Sequence, residues 1–461
     1  MRVCRVSVLR CCCDAPARCA LLSLQVTWRP TTVPFESRFD RYTDFAFFSH
    51  SIHWFSLLNS FLTVIILCAL VLLILSRTIK ATVSAGGGAM VDPETGATAY
   101  RGAAGPPTVT RDLDGLGEEV GWKLVSGDVF RAPSHLLLHS ALLGTGVQLF
   151  LLVIVLLLLA VASSYSEERG LLTVLFLLCY SLTSGAQGYV SGSFFKQHGG
   201  RQWQRAMAVA CCFYPLCVIS VVFFLNAVAW QQGSQPVLSF STALVITLVW
   251  ALVSVPLSIG GTLLARSRTQ TGAFPCRVNA IRRLIPSESL VSAHSSGSGP
   301  LHQPLNVNTS ATSVWSNWYL LVVMGGLLPF GSCFVELYSI LTSFWNYSVS
   351  YVGGFVLLVF VIFILVSACV SIVATYVLLN SEDYRWHWLA FLASASSSLY
   401  IALYALYFFV AKTNMDGVLQ TSFYCAYSAM ALLTLSLITG SIGSIGTRLF
   451  LYKLYSYTKA D

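Results

Sequence analysis

The sequence predicts an all-α integral membrane protein with nine transmembrane helices, of which the last eight form one compact bundle. The chain of 461 residues has a mean hydropathy of +0.71 and only 10% charged residues, whereas a soluble domain needs about a quarter. Nine of its segments also reach the length of about 20 apolar residues that is needed to cross the hydrocarbon of a bilayer. These predicted spans are residues 54–76, 136–163, 170–192, 206–230, 237–264, 318–343, 351–379, 388–411 and 418–447.

The connections between the spans define the expected domain organisation. The segment after the first span is poor in aromatics and rich in Gly, Ala and Pro, so we expect a tether that sets the first helix apart. All but one of the later connections are short, so sequence-adjacent spans should be antiparallel neighbours. In chain order the predicted parts are a residual lumenal segment (1–53), the first helix (54–76), a cytosolic tether (77–135), the eight-helix bundle (136–447) with a basic, Ser-rich cytosolic loop (266–316), and a cytosolic tail (448–461).

The distribution of Lys and Arg predicts the orientation. If the C-terminus is cytosolic, the lumenal connections after the first span hold only Arg169 and Lys412, and the other basic residues downstream lie on the cytosolic side, as the positive-inside rule requires. The seven arginines that precede the first span oppose this pattern. The net charge of +8 is then largely a property of a face beside anionic lipid. We expect the bilayer as a partner and no nucleic acid.

The sixth predicted span contains a proline and an acid, in the string "GGLLPFGSCFVELYSILTSFW". Gly325, Pro329, Ser332 and Glu336 follow a spacing that places them on one helical face. A carboxylate in lipid costs about 2.5–3.5 kcal/mol or more, so Glu336 must face protein or water, or be protonated. Pro329 removes a backbone donor earlier in the same predicted helix. The face is either a polar pocket or gate, or the packing side of a kinked helix with one hydrogen-bonded acid.

Two other predicted spans have stripes of small residues. The third carries Gly185, Gly188 and Gly192, and the ninth carries Gly440 and Gly443, at helical spacing. Small residues let helices approach backbone to backbone. Such a stripe either packs within the bundle or accepts a helix from outside, and the sequence leaves both open.

Neither a catalytic nor a metal site is expected, and no cofactor. His135 and His139 lie at the opposite membrane edge from His50 and His53, so the two pairs cannot share a metal. The predicted spans contain no Asp, and we expect no intramembrane Ser with a His at the same depth in another span. The sequence therefore indicates a protein that is not an enzyme.

Several strings resemble the nonaspanins, the transmembrane 9 superfamily. They are "SIHWFSLLNSFLTVIIL", "GWKLVSGDVFRAPSH", "GYVSG", "PCRVNAIRRLIP", "LPFGSCFVELYSILTSFW", "SEDYRWHW" and "YSYTKAD". Family members carry a large lumenal domain before the first span, and only the string ending at Phe48 resembles part of it. Whether Met1 is the true start therefore stays open. Cys369 stands where the family usually has Glu or Gln, and Arg282 where it tends to have proline.

The resemblance implies a Golgi or endosomal multi-pass protein that sorts or escorts other membrane proteins by binding their transmembrane segments. It also implies that Lys459 and Asp461 form a tail signal for the COPI coat. Our expected client site is a crevice at Gly325, Pro329, Ser332 and Glu336. The alternative is a small-molecule or proton-coupled transporter that uses Glu336, and a third reading is a structural partner that stabilises other Golgi proteins.

Overall fold

The structure is a computed structural model, and it describes residues 2–7, 25–30, 54–86, 89–91, 98–100, 121–162, 169–234, 238–283, 318–345, 349–413 and 417–456. Each predicted span falls on a helix. The helices, in chain order, are α1 (Trp54–Gly86), α2 (Gly121–Leu124), α3 (Leu136–Ala162), α4 (Arg169–Gln197), α5 (Trp203–Gln231), α6 (Phe240–Val249), α7 (Val255–Arg268), α8 (Trp318–Trp345), α9 (Val349–Asn380), α10 (Trp386–Ala395), α11 (Ser397–Lys412) and α12 (Val418–Ser456).

Eight spans among the described residues are long and apolar enough to cross a membrane, with α6 and α7 forming one span and α10 and α11 another. The remaining predicted span, α4, has 29 residues, which is about 44 Å of helix at 1.5 Å per residue. Its lower hydropathy comes from polar side chains such as Ser184, Gln187 and Ser191, which are buried against protein. The fold is all-α and multi-spanning, as predicted.

Two predicted helices are interrupted. The fifth span contains a π-helical turn, Trp250–Ser254, that ends two residues before Pro256, whose ring nitrogen has no hydrogen to donate to the preceding turn. The eighth span breaks at Ser396, between α10 and α11. Gly326 of α8 lies against this break, since a Cβ atom there would stand 2.5 Å from the Ser397 nitrogen.

Short strands form two antiparallel ribbons. β1 (Arg2–Ser7) pairs with β2 (Gln25–Pro30), with Arg2 opposite Pro30, and they belong to a separate compact unit, Met1–His53. β3 (Ala89–Val91) pairs with β4 (Thr98–Tyr100) inside the predicted tether.

The second compact unit, Trp54–Asp461, includes α1. We expected the tether to set α1 apart, but α1 packs mainly on α9 and also touches α8. Val64 and Leu67 are buried in the shared core, and the Cys68 and Cys369 sulfurs are 3.7 Å apart. The apolar surface of α1 therefore contributes to the bundle.

Residues 121–134, 271–283 and 381–388 form a layer at the end of the bundle where the basic residues gather, which we call the basic cap. A second apolar core joins it to the ends of the helices: Trp122 of the cap and Tyr455 of α12 are both buried there, and the Tyr455 hydroxyl donates to the Trp122 carbonyl at 2.7 Å. Asn279 N–H donates to the Gly127 carbonyl at 2.9 Å.

The structure differs from the predicted domain boundaries at three places near the basic cap. Residues 121–134 are packed, although we assigned them to the tether. In residues 271–283, which we assigned to a loop at the membrane surface, Cys276 is buried and Phe274 and Val278 pack against the same core, whereas most of the other residues are exposed. The tail was expected from residue 448, but α12 continues to Ser456 with Leu451 and Leu454 buried. The physical reason is the same in each case. Apolar side chains alternate with basic ones along these segments, and the apolar side chains contact each other only when the chain is folded, so the sequence does not show that they form a core.

Candidate functional site

Glu336 lies inside the bundle. Its side chain is 1% exposed, and neither carboxyl oxygen has a hydrogen-bond partner among the residues that the structure describes. A buried polar group without a partner costs about 1–3 kcal/mol, and more when it is charged. Such a group in a membrane bundle indicates either a stored energetic cost or a site that a ligand or another protein completes.

The residues one and two turns before Glu336 are held by backbone contacts. Pro329 is buried inside α8, and its carbonyl accepts a hydrogen bond from Ser332 Oγ at 2.7 Å. The Ser332 carbonyl in turn accepts from Ser60 Oγ of α1 at 2.5 Å. This bond is a polar link between α8 and α1 at the level of the predicted site, so Ser332 lies at the seam between the two helices.

Gly325 serves helix packing. It is buried, and a Cβ atom built there would stand 2.8 Å from the Ala393 carbonyl oxygen of α10. The structure thus brings Gly325, Pro329 and Glu336 to the inner side of α8 and leaves Ser332 half-buried. Gly325 packs against α10 of the same chain, and the role of Pro329, Ser332 and Glu336 as a client site stays a prediction.

The first small-residue stripe, on α4, is covered by another helix of the same chain. On α4, a Cβ at Gly185 would stand 3.3 Å from Leu257, and one at Gly192 would stand 3.0 Å from Thr262, both on α7. The Gly188 carbonyl accepts a hydrogen bond from Thr262 Oγ1 at 3.2 Å. The sequence left open whether this stripe packs within the bundle or accepts a helix from outside, and in the structure it packs within the bundle.

The stripe on α12 is likewise internal. A Cβ at Gly440 would stand 2.8 Å from the Phe391 ring of α10, and one at Gly443 would stand 3.2 Å from Ser371 of α9. Because both faces are covered by helices of the same chain, neither is free to receive an outside helix in this arrangement.

A histidine cluster at the junction of the bundle and the basic cap was not anticipated. The rings of His139 and His198 lie 6.0 Å and 5.5 Å, respectively, from that of His387. They come from α3, from the turn after α4 and from α10, so no local spacing could reveal the group. Burial, with a smaller effect of nearby Arg448, lowers the pKa of His198 to about 4, so this imidazole is neutral at pH 7.

A small cavity beside this cluster contradicts one expectation. His139, His387 and Ser444 line the same void of about 20 Å³, which is room for about one water molecule. An intramembrane serine therefore does share a depth with histidines from other helices. Ser444 Oγ and His139 Nδ1 have no hydrogen-bond partner in the described part of the chain, so these residues do not form a nucleophile–base pair.

The described residues contain no group of three His, Cys, Asp or Glu side chains that could hold a metal ion. Lys459 and Asp461, the predicted coat-binding residues, lie outside the described residues. The geometry defines a multi-spanning α-helical membrane protein with a buried acid, Glu336, that has no hydrogen-bond partner among the described residues and lies one turn after the Ser60–Ser332 contact of α1 and α8.

Comparison with known proteins identifies the family. The profile described as "Endomembrane protein 70" matches residues 18–418, and the chain belongs to this family. Transmembrane 9 superfamily member 4 of Arabidopsis thaliana is 32% identical over 443 residues, which are 95% of this chain and 66% of the relative. Transmembrane 9 superfamily member 2 of the same plant is 33% identical over 439 residues, 95% of this chain and 67% of the relative.

The human Transmembrane 9 superfamily member 4 is 30% identical over 439 residues, 95% of this chain and 61% of the relative. The chain thus spans about two thirds of the length of the curated relatives that it matches. No solved structure matches it. The nonaspanin resemblance of the sequence is confirmed.

Proposed function

We propose that this protein binds the transmembrane segments of other membrane proteins and directs their delivery from Golgi and endosomal membranes. It acts without catalysis, its C-terminus is cytosolic, and Lys459 with Asp461 binds the COPI coat. The family supports a multi-spanning endomembrane protein. The observation that carries the binding site is Glu336, which is buried, has no hydrogen-bond partner among the described residues, and follows the contact of α1 and α8 at Ser332 by one turn.

The seam is the proposed entrance. Much of the surface of α1 faces outward, since Leu58 and Leu62 are 60% and 55% exposed. Its contact with α8 is small and includes the bond from Ser60 Oγ to the Ser332 carbonyl. A client helix that enters beside Ser332 can offer the Glu336 carboxyl the hydrogen-bond donor that it lacks. Interhelical hydrogen bonds of this kind contribute about 0.6–2 kcal/mol in membranes.

The covered glycine stripes limit where on the protein a client helix can bind. Gly185, Gly188 and Gly192 are in contact with α7, so the client does not dock on them. Recognition is assigned to the seam and to the acid, and a client segment with glycines or polar groups fits because it leaves its own backbone or polar side chains accessible.

The test replaces Glu336 by Leu and by Gln in cells that lack the endogenous protein. A surface reporter with a glycine-containing transmembrane segment is quantified by flow cytometry. We expect Glu336→Leu to lower surface arrival of this reporter and to leave that of a leucine-rich reporter unchanged. Thr375→Val is the matched control, because Thr375 Oγ1 is also buried and unpartnered in the described structure. Loss of protein with Glu336→Leu, measured by immunoblot and thermal stability, would instead assign the acid a structural role.

A transporter remains the second candidate, because a buried acid without a partner is also typical of substrate and proton pathways. Uptake of small solutes and protons into liposomes that contain the purified chain distinguishes the two. Saturable flux that Glu336→Gln abolishes would reject a purely sorting function.

A further inference from the structure

A cavity opens at the basic end of the bundle, between the beginnings of α8 and α10. Its volume is about 510 Å³, within the range of about 300–1,000 Å³ that is usual for small-molecule sites. The residues that matter here are three arginines and three aromatics, namely Arg131, Arg282, Arg385, Trp318, Tyr319 and Trp388.

The lining is positively charged. No Asp or Glu is among the described residues that line the cavity. Arg131 and Arg385 are paired with Asp128 and Asp383, at 2.5 Å and 3.0 Å, and both acids lie outside the lining. Arg282 is exposed and has no hydrogen bond or ion pair within the described part of the chain. Among the described residues, the positive charge of Arg282 at the cavity therefore has no compensating acid.

The position of Arg282 is fixed by its neighbours. Arg283 donates to the Leu124 carbonyl at 2.8 Å and pairs with Glu382 at 2.6 Å. On the other side, Arg131 donates to the Asn279 carbonyl at 2.8 Å. The backbone on both sides of Arg282 is thus tied to two other parts of the basic cap, which holds the Arg282 backbone at the cavity.

The cavity also borders the bilayer. Trp318 and Tyr319 are the first residues of α8, and Trp and Tyr are typical of the membrane interface. Tyr319, Val323 and Leu327 are 74%, 51% and 47% exposed and follow each other one turn apart on the same side of α8. This apolar track leads from the cavity along the span, which favours a ligand with an acyl chain over one that is soluble in water.

We propose that this cavity binds the phosphate-bearing headgroup of an anionic phospholipid, with Arg282 contacting the phosphate and the acyl chain lying along α8. A guanidinium binds phosphate oxygens in a two-pronged geometry, and basic pockets between helices at the cytosolic membrane surface suit such headgroups. The aromatic rings of Trp318 and Trp388 border the ligand.

The test uses the full-length chain purified in neutral detergent and a short-chain phosphatidylinositol phosphate as the probe, with binding followed by microscale thermophoresis. We expect saturable binding that Arg282→Gln weakens about tenfold, the effect of one lost charge-assisted contact. Arg268→Gln is the matched control, because Arg268 is exposed at the end of α7 and outside the cavity. Ala132→Trp, at an exposed lining position, should weaken binding by filling the space.

Three results would overturn the proposal. The first is equal weakening by Arg282→Gln and Arg268→Gln, which would indicate general charge attraction. The second is unchanged binding in Ala132→Trp, which would place the ligand elsewhere. The third is binding of the deacylated headgroup, or of inorganic phosphate, as tight as that of the lipid, which would assign the site to a soluble phosphate compound.

Discussion

The α4–α7 contact gives a sharp prediction, because two adjacent glycines of α7 differ in their surroundings. A Cβ atom at Gly261 would stand 3.0 Å from both the Gly185 carbonyl carbon and the Tyr189 nitrogen of α4, whereas one at Gly260 would meet nothing within 4 Å. Backbone atoms cannot move aside as a side chain can, so Gly261→Ala has to separate the two helices.

The expected magnitudes follow from this geometry. Replacing a helical glycine by alanine stabilises a helix by about 1 kcal/mol at either position. Overpacking a close contact costs about 1–3 kcal/mol and applies at Gly261 alone. We therefore expect Gly260→Ala to be stabilising by about 1 kcal/mol, and Gly261→Ala to be less stable than Gly260→Ala by about 1–3 kcal/mol.

The free energy of unfolding is measured in mixed micelles with an increasing fraction of sodium dodecyl sulfate, by far-ultraviolet circular dichroism. The comparison of adjacent positions on one helix cancels the propensity effect. Equal stability of the two alanine variants would refute the reasoning, because α4 and α7 would then not be in backbone contact at Gly261.

Three further predictions concern α1, the histidine cluster and the basic cap. Mild oxidation with copper phenanthroline should join Cys68 to Cys369, so that protease cleavage between α1 and α3 leaves the fragments linked on a non-reducing gel; separate fragments would contradict the docking of α1. Burial lowers the pKa of His198 to about 4 in the folded protein, so the folded state favours the neutral imidazole. The stability that this contributes is fully present above about pH 6.5 and should decline as the pH falls toward 4; a thermal-shift series in which His198→Gln shows the same pH dependence as the unmodified protein would exclude this contribution. Tyr455→Phe should lower stability by about 1–3 kcal/mol, because the Trp122 carbonyl loses its buried donor; an unchanged unfolding midpoint in the same detergent assay would indicate that the cap is not anchored there.

The spans could be predicted from the sequence, because an apolar stretch of sufficient length has few alternatives to a membrane helix. α9 is an example, since its run of Val, Leu, Ile and Phe extends through "FVLLVFVIFILV". The interruption at Ser396 could not be predicted, because it depends on the close approach of Gly326 from α8.

The candidate site was predictable in part. A single acid in an apolar span is visible in the sequence, and its burial follows from the cost of exposing it to lipid. The partners of the glycine stripes were not visible, because a stripe does not specify which helix covers it. The basic cap and the histidine cluster were missed for a related reason, since His139, His198 and His387 meet only through the packing of distant helices.

The most direct test of the account is site-specific photo-crosslinking at the seam of α1 and α8. A photoreactive amino acid replaces Val335, which neighbours Glu336 and is 46% exposed, or Leu216 of α5, which is 62% exposed and serves as the control. The account predicts that the glycine-containing reporter crosslinks from position 335 and not from position 216, and that Glu336→Leu abolishes the crosslink. Equal crosslinking from both positions, or crosslinking that persists in Glu336→Leu, would contradict recognition of clients at this seam.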